Sequence, residues 1–170
     1  MSYSNLIEVR DSHKFNEENL DIWLTNKLRD FSGLKSVKQF IGGQSNPTFV
    51  LFDKDGKEFV LRKKPPGLLL PSAHAVEREF KIQKALELTD IPCPKVLLLC
   101  ENSEVIGTSF YIMEKLNGKV YEDVALSSEK SNNRSVIYRE MVKLLAKLHN
   151  IRPKEIGLEI EFSQSNIEGE

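Results

Sequence analysis

The sequence predicts an α+β protein, and three features of the chain lead to this prediction. Strand-like apolar runs joined by a hairpin turn lie within residues 36–62, and two more runs follow at 96–99 and 109–114. Stretches with apolar residues at three- and four-residue steps precede, separate and follow these runs, which is the spacing of amphipathic helices. The predicted order is helix, three antiparallel strands, helix, two strands, linker and helix, with a joint near Asn117.

The size and composition of the chain exclude several classes of protein. It has 170 residues, of which 40% are apolar and 29% charged, and its net charge is −1. We expect one compact domain or a two-lobed fragment, and no nucleic-acid partner because the chain has no overall positive field. No apolar run is long enough to span a membrane, and no secretion signal begins the chain. We therefore expect an intracellular protein, cytoplasmic or organellar, with mitochondrion and peroxisome both open.

The first helix is predicted to follow a disordered lead-in over residues 1–15. Asn16 can cap its amino end, and the acidic residues Glu17 and Glu18 suit the positive end of the helix dipole. Gly33 is predicted to end it. The apolar stripe that would pack on the rest of the domain consists of Leu20, Trp23, Leu24, Leu28 and Phe31.

Three strands are predicted next, over residues 36–41, 48–52 and 58–62. The apolar residues of the first are out of phase by one, which indicates a bulge or bend. Asp55-Gly56 lies between the second and third strands, and this dipeptide favours a tight hairpin because both residues tolerate positive φ.

A second helix is predicted from Ser72 to about Leu88, and one of its faces combines apolar residues with a single carboxylate, Glu79. A carboxylate that is buried on such a face needs a cation as its partner. Beyond the two remaining strands, a long helix is predicted to begin at or near Ser135 and to end at His149-Asn150. The stripe of that helix consists of Val136, Met141, Leu144, Leu145 and Leu148.

The cysteines and the small-residue loop are candidate sites of chemistry. Cys93 and Cys100 lack the further ligands of a zinc site and are predicted to be reduced and structural. The loop of residues 42–47 is followed by a strand, a hairpin and a strand that ends on the cations Arg62 and Lys63. This order suits a polyphosphate, which binds oriented N–H groups and a positive charge. A hairpin turn without a ligand is the alternative.

The chain resembles the aminoglycoside phosphotransferase and choline kinase family, which has a protein-kinase-like fold. The resemblance covers about residues 16–158. Within this family, the chain looks most like the amino-terminal phosphotransferase-like domain of acyl-CoA dehydrogenase family members 10 and 11. The segments that carry it are Gly-Gly-Gln-Ser-Asn-Pro-Thr-Phe from residue 42, Phe-Val-Leu-Arg-Lys-Lys-Pro-Pro-Gly from 59, Glu-Arg-Glu-Phe-Lys-Ile-Gln-Lys-Ala-Leu from 77, Phe-Tyr-Ile-Met-Glu-Lys-Leu-Asn-Gly from 110 and Leu-Leu-Ala-Lys-Leu-His-Asn from 144.

The resemblance implies a fold and a division of the chain. Residues 16–117 would form a kinase-like small lobe, with a five-stranded antiparallel sheet, its helix and an additional amino-terminal helix. Residues 118–158 would form a hinge and the first helix of a truncated helical lobe. Residues 159–170 are expected to be a disordered tail.

The resemblance also implies a site for the phosphates of a nucleotide. The cation at the end of the third predicted strand would contact them, and Arg62 is preferred to Lys63. Strand alternation sends these two side chains to opposite faces, so only one can enter the cleft. Glu79 would orient that cation, with Glu77 as the alternative. The loop residues that would cover the phosphates are Gly42, Gly43, Gln44, Ser45 and Asn46.

The fifth predicted strand would lead to the adenine of the same nucleotide. The resemblance places Met113 at the back of the pocket and Val60 against the ring. The backbone carbonyl of Glu114 and the N–H of Leu116 would bond to the purine edge. Plain core packing is the alternative for these residues.

One part of the family's machinery is absent from the sequence. The family's catalytic loop, His-Gly-Asp with a downstream Asn, and its later metal-binding Asp supply the base and the magnesium ligands. Neither motif occurs, and none of His13, His74 and His149 precedes Gly-Asp. The resemblance therefore implies ATP as ligand, magnesium ligands only in the missing helical lobe, and no catalytic or metal-binding residue in this chain.

Two functions follow as expectations. The first is the nucleotide-binding lobe of a small-molecule kinase, which transfers phosphate to a hydroxyl group. The acceptor in the parent protein would be a hydroxyacyl-CoA, and the lobe would be inactive as this fragment. The second is a non-catalytic interaction module that self-associates through an exposed cleft face containing Val60 and Met113. A dehydrogenase role ranks third, because the sequence contains no recognisable flavin-binding portion.

Overall fold

A computed structural model of the chain describes residues 5–42, 45–67, 74–121 and 123–158. The chain divides into two compact units. The first unit comprises the residues up to Lys84 together with Pro94–Asn117, and the second comprises Ala85–Cys93 and the residues from Gly118 onward. No helix in the described ranges combines the length and the apolarity that crossing a bilayer requires.

The first unit is built on one antiparallel sheet of six strands. The order of the strands in the sheet is β1-β2-β3-β4-β6-β5, so β4 and β6 lie side by side although a helix and β5 come between them in the sequence. The strands are β1 (Leu6–Ile7), β2 (Leu34–Phe40), β3 (Thr48–Asp53), β4 (Glu58–Lys63), β5 (Val96–Cys100) and β6 (Phe110–Glu114).

The predicted α+β class is confirmed, but the sheet has six strands instead of the predicted five. The extra strand is β1, which lies in the segment predicted to be a disordered lead-in. Leu6 and Ile7 pair with Phe40 and Gln39 at the edge of β2, and residues 11–13 form a 3₁₀ turn. The buried side chain of Gln39 accepts a hydrogen bond from the Arg10 N–H at 3.1 Å, which holds the lead-in on the sheet.

Helix α1 (Glu17–Lys27) begins as predicted and ends earlier. The Asn16 side chain accepts from the Asn19 N–H at 2.9 Å, the expected amino-terminal cap. Lys27 is the last helical residue, so Leu28 and Phe31 continue in a turn and still pack against the apolar core. Gly33 lies beyond the end of the helix, at a φ of +104°, where glycine is favoured.

The three strands after α1 form in the predicted places. The irregular register of β2 against β3 lies between Leu34 and Ser36, close to the start of the strand in which the sequence indicated a bulge or bend. Gly56 in the hairpin between β3 and β4 has a φ of +83°, as its turn requires. Buried residues of β3 and β4, among them Leu51 and Leu61, form the main core with α1.

Helices α2 (Val76–Leu86) and α3 (Ser131–His149) depart from their predicted limits. Ser72 lies outside the described residues, and His74 has a φ of +57°, so the helix begins only at Val76. Leu88 lies beyond the observed end of α2. In the second unit, α3 begins four residues before the predicted Ser135, and none of its residues is buried.

Two further predictions concern the cysteines and the end of the chain. Cys93 and Cys100 are both thiols, as predicted. The predicted disordered tail, residues 159–170, lies outside the described residues.

Candidate functional site

Arg62 and Glu79 form the centre of the site. Arg62 lies near the end of β4, and Glu79 lies in the first turn of α2. The Arg62 Nε–H donates to Glu79 Oε2 at 2.6 Å, and Nη2 donates to Oε1 at 3.3 Å. The pair that the sequence predicted is therefore present, as a two-point contact between a guanidinium and a carboxylate.

The Glu79 carboxylate accepts four hydrogen bonds. Besides the two from Arg62, the Asn46 side-chain amide donates to Oε1 at 2.7 Å and the Tyr111 hydroxyl donates to Oε2 at 3.2 Å. Burial alone would raise the pKa of Glu79, but the hydrogen bonds and the charge of Arg62 outweigh it, and the pKa is lowered. Glu79 is thus held as a charged acceptor.

Most of the Arg62 donors are already used within the protein. A guanidinium has five N–H groups. Two of them bond to Glu79, while Nη1 donates to the Thr48 hydroxyl at 2.9 Å and to the Asn46 carbonyl at 3.5 Å. Within the described part of the chain, one N–H on Nη2 is left without a protein acceptor. Arg62 is consequently a fixed positive charge with a single remaining donor.

The contacts of Lys63 and Glu77 bear on the alternatives to Arg62 and Glu79 that the sequence left open. Lys63 follows Arg62 on β4, and only 3% of the residue is exposed, on the face of the sheet opposite Arg62. Glu77 pairs with Lys64 at 2.6 Å and is not the partner of Arg62. Glu79, and not Glu77, is therefore the partner of Arg62, whereas the choice of Arg62 over Lys63 as the cation that contacts phosphate stays a prediction.

Tyr111 supports the pair from β6. It is fully buried and lies opposite Arg62 in the β4–β6 register. Its hydroxyl donates to Glu79 and accepts from the Gln83 side chain at 2.9 Å. Burial and the neighbouring charge of Glu79 raise the pKa of Tyr111 to about 12, so the hydroxyl remains a donor at neutral pH.

The end of the loop that precedes β3 lies beside this pair, since Asn46 contacts both Glu79 and Arg62. Gly42 and Ser45 are exposed, whereas Gly43 and Gln44 lie outside the described residues. A groove of about 400 Å³ runs between the end of the loop and α2, with Ser45, His74 and Arg78 among its lining residues. The predicted role of the loop in covering phosphates stays a prediction.

The residues predicted to meet the adenine lie on neighbouring strands. Val60 and Met113 are directly opposite each other in the β4–β6 pair, and Glu114 ends β6. Leu116 follows that strand and is 60% exposed. Val60 is only 5% exposed, and it lies on an interior strand opposite Val50 and Met113. Val60 therefore contributes little exposed apolar surface, and self-association through a cleft face containing Val60 and Met113 stays a prediction.

Magnesium does not fit the carboxylates of this site. Both oxygens of Glu79 already accept hydrogen bonds, and Glu77 is paired with Lys64. Across the described residues, no group of three His, Cys, Asp or Glu side chains is placed to hold a metal ion. No catalytic step through a metal follows from these residues.

The sequence did not indicate the side-chain hydrogen bonds of four residues around the Arg62–Glu79 pair. They are the side chains of Asn46, Thr48, His74 and Tyr111. For Thr48 and Tyr111 a signal existed, since both lie opposite Arg62 once the register of its two neighbouring strands is known. For the other two, the sequence carries no periodic signal, because both lie in loops.

The chain is similar to a known family and to parts of longer proteins. A family model described as "Phosphotransferase enzyme family" matches residues 36–165. Acyl-CoA dehydrogenase family member 11 of Rattus norvegicus is 43% identical over 157 residues, which cover 90% of this chain and 20% of that protein. Acyl-CoA dehydrogenase family member 10 of Mus musculus is 43% identical over 148 residues, which cover 86% of this chain and 14% of that protein.

A solved structure shows the same fold. It is a candidate aminoglycoside phosphotransferase from Ralstonia eutropha, with 39% sequence identity and a TM-score of 0.70. The match covers 85% of this chain and 41% of that chain. The predicted kinase-like fold is thereby confirmed. The chain spans about a fifth of the length of the family member 11 relatives and less than half of the solved chain.

Proposed function

The chain belongs to the phosphotransferase enzyme family, and from this premise we propose that it is the nucleotide-binding lobe of a small-molecule kinase. Its ligand is ATP, and the phosphate acceptor in the whole protein is a hydroxyl group. A hydroxyacyl-CoA suits the names of the relatives, which are acyl-CoA dehydrogenase family members.

The Arg62–Glu79 pair is the observation that carries this proposal. An arginine held on a strand by a helical carboxylate places a fixed positive charge beside Asn46, at the end of the loop that precedes β3. Phosphoryl transfer depends on such positioned charge, since the protein contributes electrostatics and geometry and little covalent chemistry. The remaining Nη2–H of Arg62 is the donor that we assign to a phosphate oxygen.

Turnover requires groups that these 170 residues do not supply. The sequence contains no His-Gly-Asp, and magnesium does not fit the carboxylates of the site. We therefore propose that this polypeptide binds ATP and does not transfer its phosphate.

Calorimetric titration with ATP tests the proposal. We expect weak binding by the wild-type chain and a loss of about tenfold in affinity for Arg62→Ala, as for one lost charge-assisted hydrogen bond. Arg29→Ala is the matched control, because Arg29 is exposed and lies just after α1. Equal affinities of Arg62→Ala and wild type would refute the assignment.

A second candidate function is a non-catalytic interaction module that pairs with a second copy of itself. The observation behind it is α3, whose apolar side chains Met141 and Leu145 are 58% and 52% exposed. Exposed apolar surface of this kind favours association, and a net charge of −1 opposes it little. Sedimentation should then show a dimer that Met141→Glu with Leu145→Glu abolishes, and a monomer at every concentration would exclude this candidate.

A further inference from the structure

Asn46 lies near the end of the loop that precedes β3, and it is buried. Only 2% of the residue is exposed, whereas its neighbour Ser45 is exposed. Both ends of its side-chain amide have partners: Nδ2 donates to Glu79 at 2.7 Å, and Oδ1 lies 3.1 Å from Nδ1 of His74. A buried amide that is hydrogen-bonded at both ends is fixed in orientation, because the loss of either hydrogen bond would leave a buried polar group without a partner.

The chemistry of the three groups sets the direction of these bonds. The ionised Glu79 carboxylate only accepts, so Nδ2 of Asn46 must face it. Oδ1 then faces His74, and it also only accepts. The His74 ring must therefore carry its proton on Nδ1, and His74 donates to Asn46.

His74 itself has an uncommon backbone conformation. Its φ is +57°, a region that few residues other than glycine adopt, although histidine is among those found there. The His74 carbonyl accepts from the N–H of Val76, the first residue of α2. The imidazole thus connects the start of α2 to the loop through Asn46.

The Asn46 backbone belongs to the same network. Its carbonyl accepts from the Thr48 hydroxyl at 3.1 Å and from Arg62 Nη1 at 3.5 Å. Asn46 consequently contacts both members of the Arg62–Glu79 pair. Displacement of Asn46 would therefore change the surroundings of the guanidinium from two sides.

We propose that Asn46 and His74 are positioning residues, which hold the end of the glycine-containing loop against Glu79 and thereby fix Arg62 before a ligand binds. The inference rests on the proposed nucleotide site, and it deepens that function by naming what sets the site's geometry. Neither residue needs to touch the nucleotide for this role.

Hydrogen exchange of the Arg62 Nε–H, followed by NMR without nucleotide, tests the role of Asn46. We expect exchange to be about tenfold faster in Asn46→Ala, as for the loss of one hydrogen bond to a charged group. Asn133→Ala is the matched control, since it removes an exposed bond from Asn133 to Glu129, and it should leave the rate unchanged. An unchanged rate in Asn46→Ala would overturn the proposal.

Two variants of His74 test whether His74 donates a hydrogen bond to Asn46 and thereby helps to position Arg62. His74→Ala should also speed exchange, and His74→Asn should restore the wild-type rate, because asparagine tolerates positive φ and offers an N–H near the position of Nδ1. If Asn46→Ala does not fold, the exchange rates of these two variants test the positioning role in its place. Equal rates in His74→Ala, His74→Asn and wild type would overturn the proposal.

ATP affinity, measured separately, distinguishes this inference from the proposed function. If wild type binds no ATP while the exchange rates change as expected, the nucleotide proposal fails and the positioning role stands. If ATP binds to wild type and Asn46→Ala alike and the exchange rates are equal, the positioning role fails and the nucleotide proposal stands.

Discussion

The Thr48 hydroxyl lies 2.9 Å from Nη1 of Arg62, directly across the β3–β4 pair, and accepts a hydrogen bond from it. The same hydroxyl donates to the Asn46 carbonyl at 3.1 Å. Thr48 therefore connects the guanidinium to the loop on the side opposite Glu79. The position of Arg62 depends on two strands as well as on α2.

Thr48→Val tests the contribution of this hydroxyl. Valine keeps the shape of the side chain but leaves Nη1 only its longer contact to the Asn46 carbonyl, so we expect a loss of about 1 kcal/mol in the free energy of unfolding. Urea denaturation measures it. Thr25→Val is the control, because the Thr25 hydroxyl makes an exposed contact of 3.5 Å to Asp21. Equal stabilities of wild type and Thr48→Val would contradict the role of Thr48.

Glu79→Gln should loosen Arg62 more than Glu77→Gln does, because Glu77 pairs with Lys64. We expect Glu79→Gln to cost roughly 1 kcal/mol at neutral pH, a modest value for a pair that is partly exposed to solvent. Since the folded-state pKa of Glu79 is lowered, its contribution is present above the unfolded pKa and is lost as pH falls through the folded value.

The difference in stability between wild type and Glu79→Gln should accordingly shrink on acidification. Urea denaturation across a pH series measures this difference. The Arg62 Nε–H exchange rate separates the two glutamates, since Glu77→Gln should leave it unchanged. Equal exchange rates in the two variants would count against the Arg62–Glu79 pairing.

Lys63→Met should stabilise the protein. Lys63 is buried, and the described part of the chain provides it with no ion-pair partner. Burial lowers its pKa, because the folded protein stabilises the charged ammonium group less well than water does. We expect a gain of about 1 kcal/mol at neutral pH from an apolar side chain of similar length.

The advantage of Lys63→Met should diminish as pH rises, because wild-type Lys63 loses its proton in the folded state before it does so in the unfolded state. Thermal denaturation at neutral and alkaline pH measures the trend. Lys35→Met, at an exposed position of β2, is the control and should change little. A destabilised Lys63→Met would show that the ammonium group has a favourable role.

Tyr111→Phe should cost about 1 kcal/mol of stability, because the Gln83 amide loses its acceptor and Glu79 loses a donor. The raised pKa of Tyr111, about 12, means that its contribution is present below the unfolded value and is lost as pH rises through the folded value. Ultraviolet titration of the tyrosines should show one late group that Tyr111→Phe removes. A normal titration of all tyrosines in wild type would contradict this prediction.

Several features of the fold and site could be predicted from local sequence. Asn16 and Asp55-Gly56 specify a helix cap and a hairpin through their own hydrogen-bonding and backbone preferences. Strand alternation separates Arg62 from Lys63, and a lone carboxylate on an amphipathic helix indicates that Glu79 needs a cation. These are short-range properties, and the sequence alone determines them.

Only the tertiary structure decided the rest. Leu6 and Ile7 form a strand because β2 offers them an edge, and the low exposure of Val60 depends on what packs around it in the folded chain. The partners of Asn46 lie on α2 and on the segment before it, at distances of 33 and 28 residues along the chain. Contacts between residues so far apart depend on how the elements pack, which no local pattern of residues specifies.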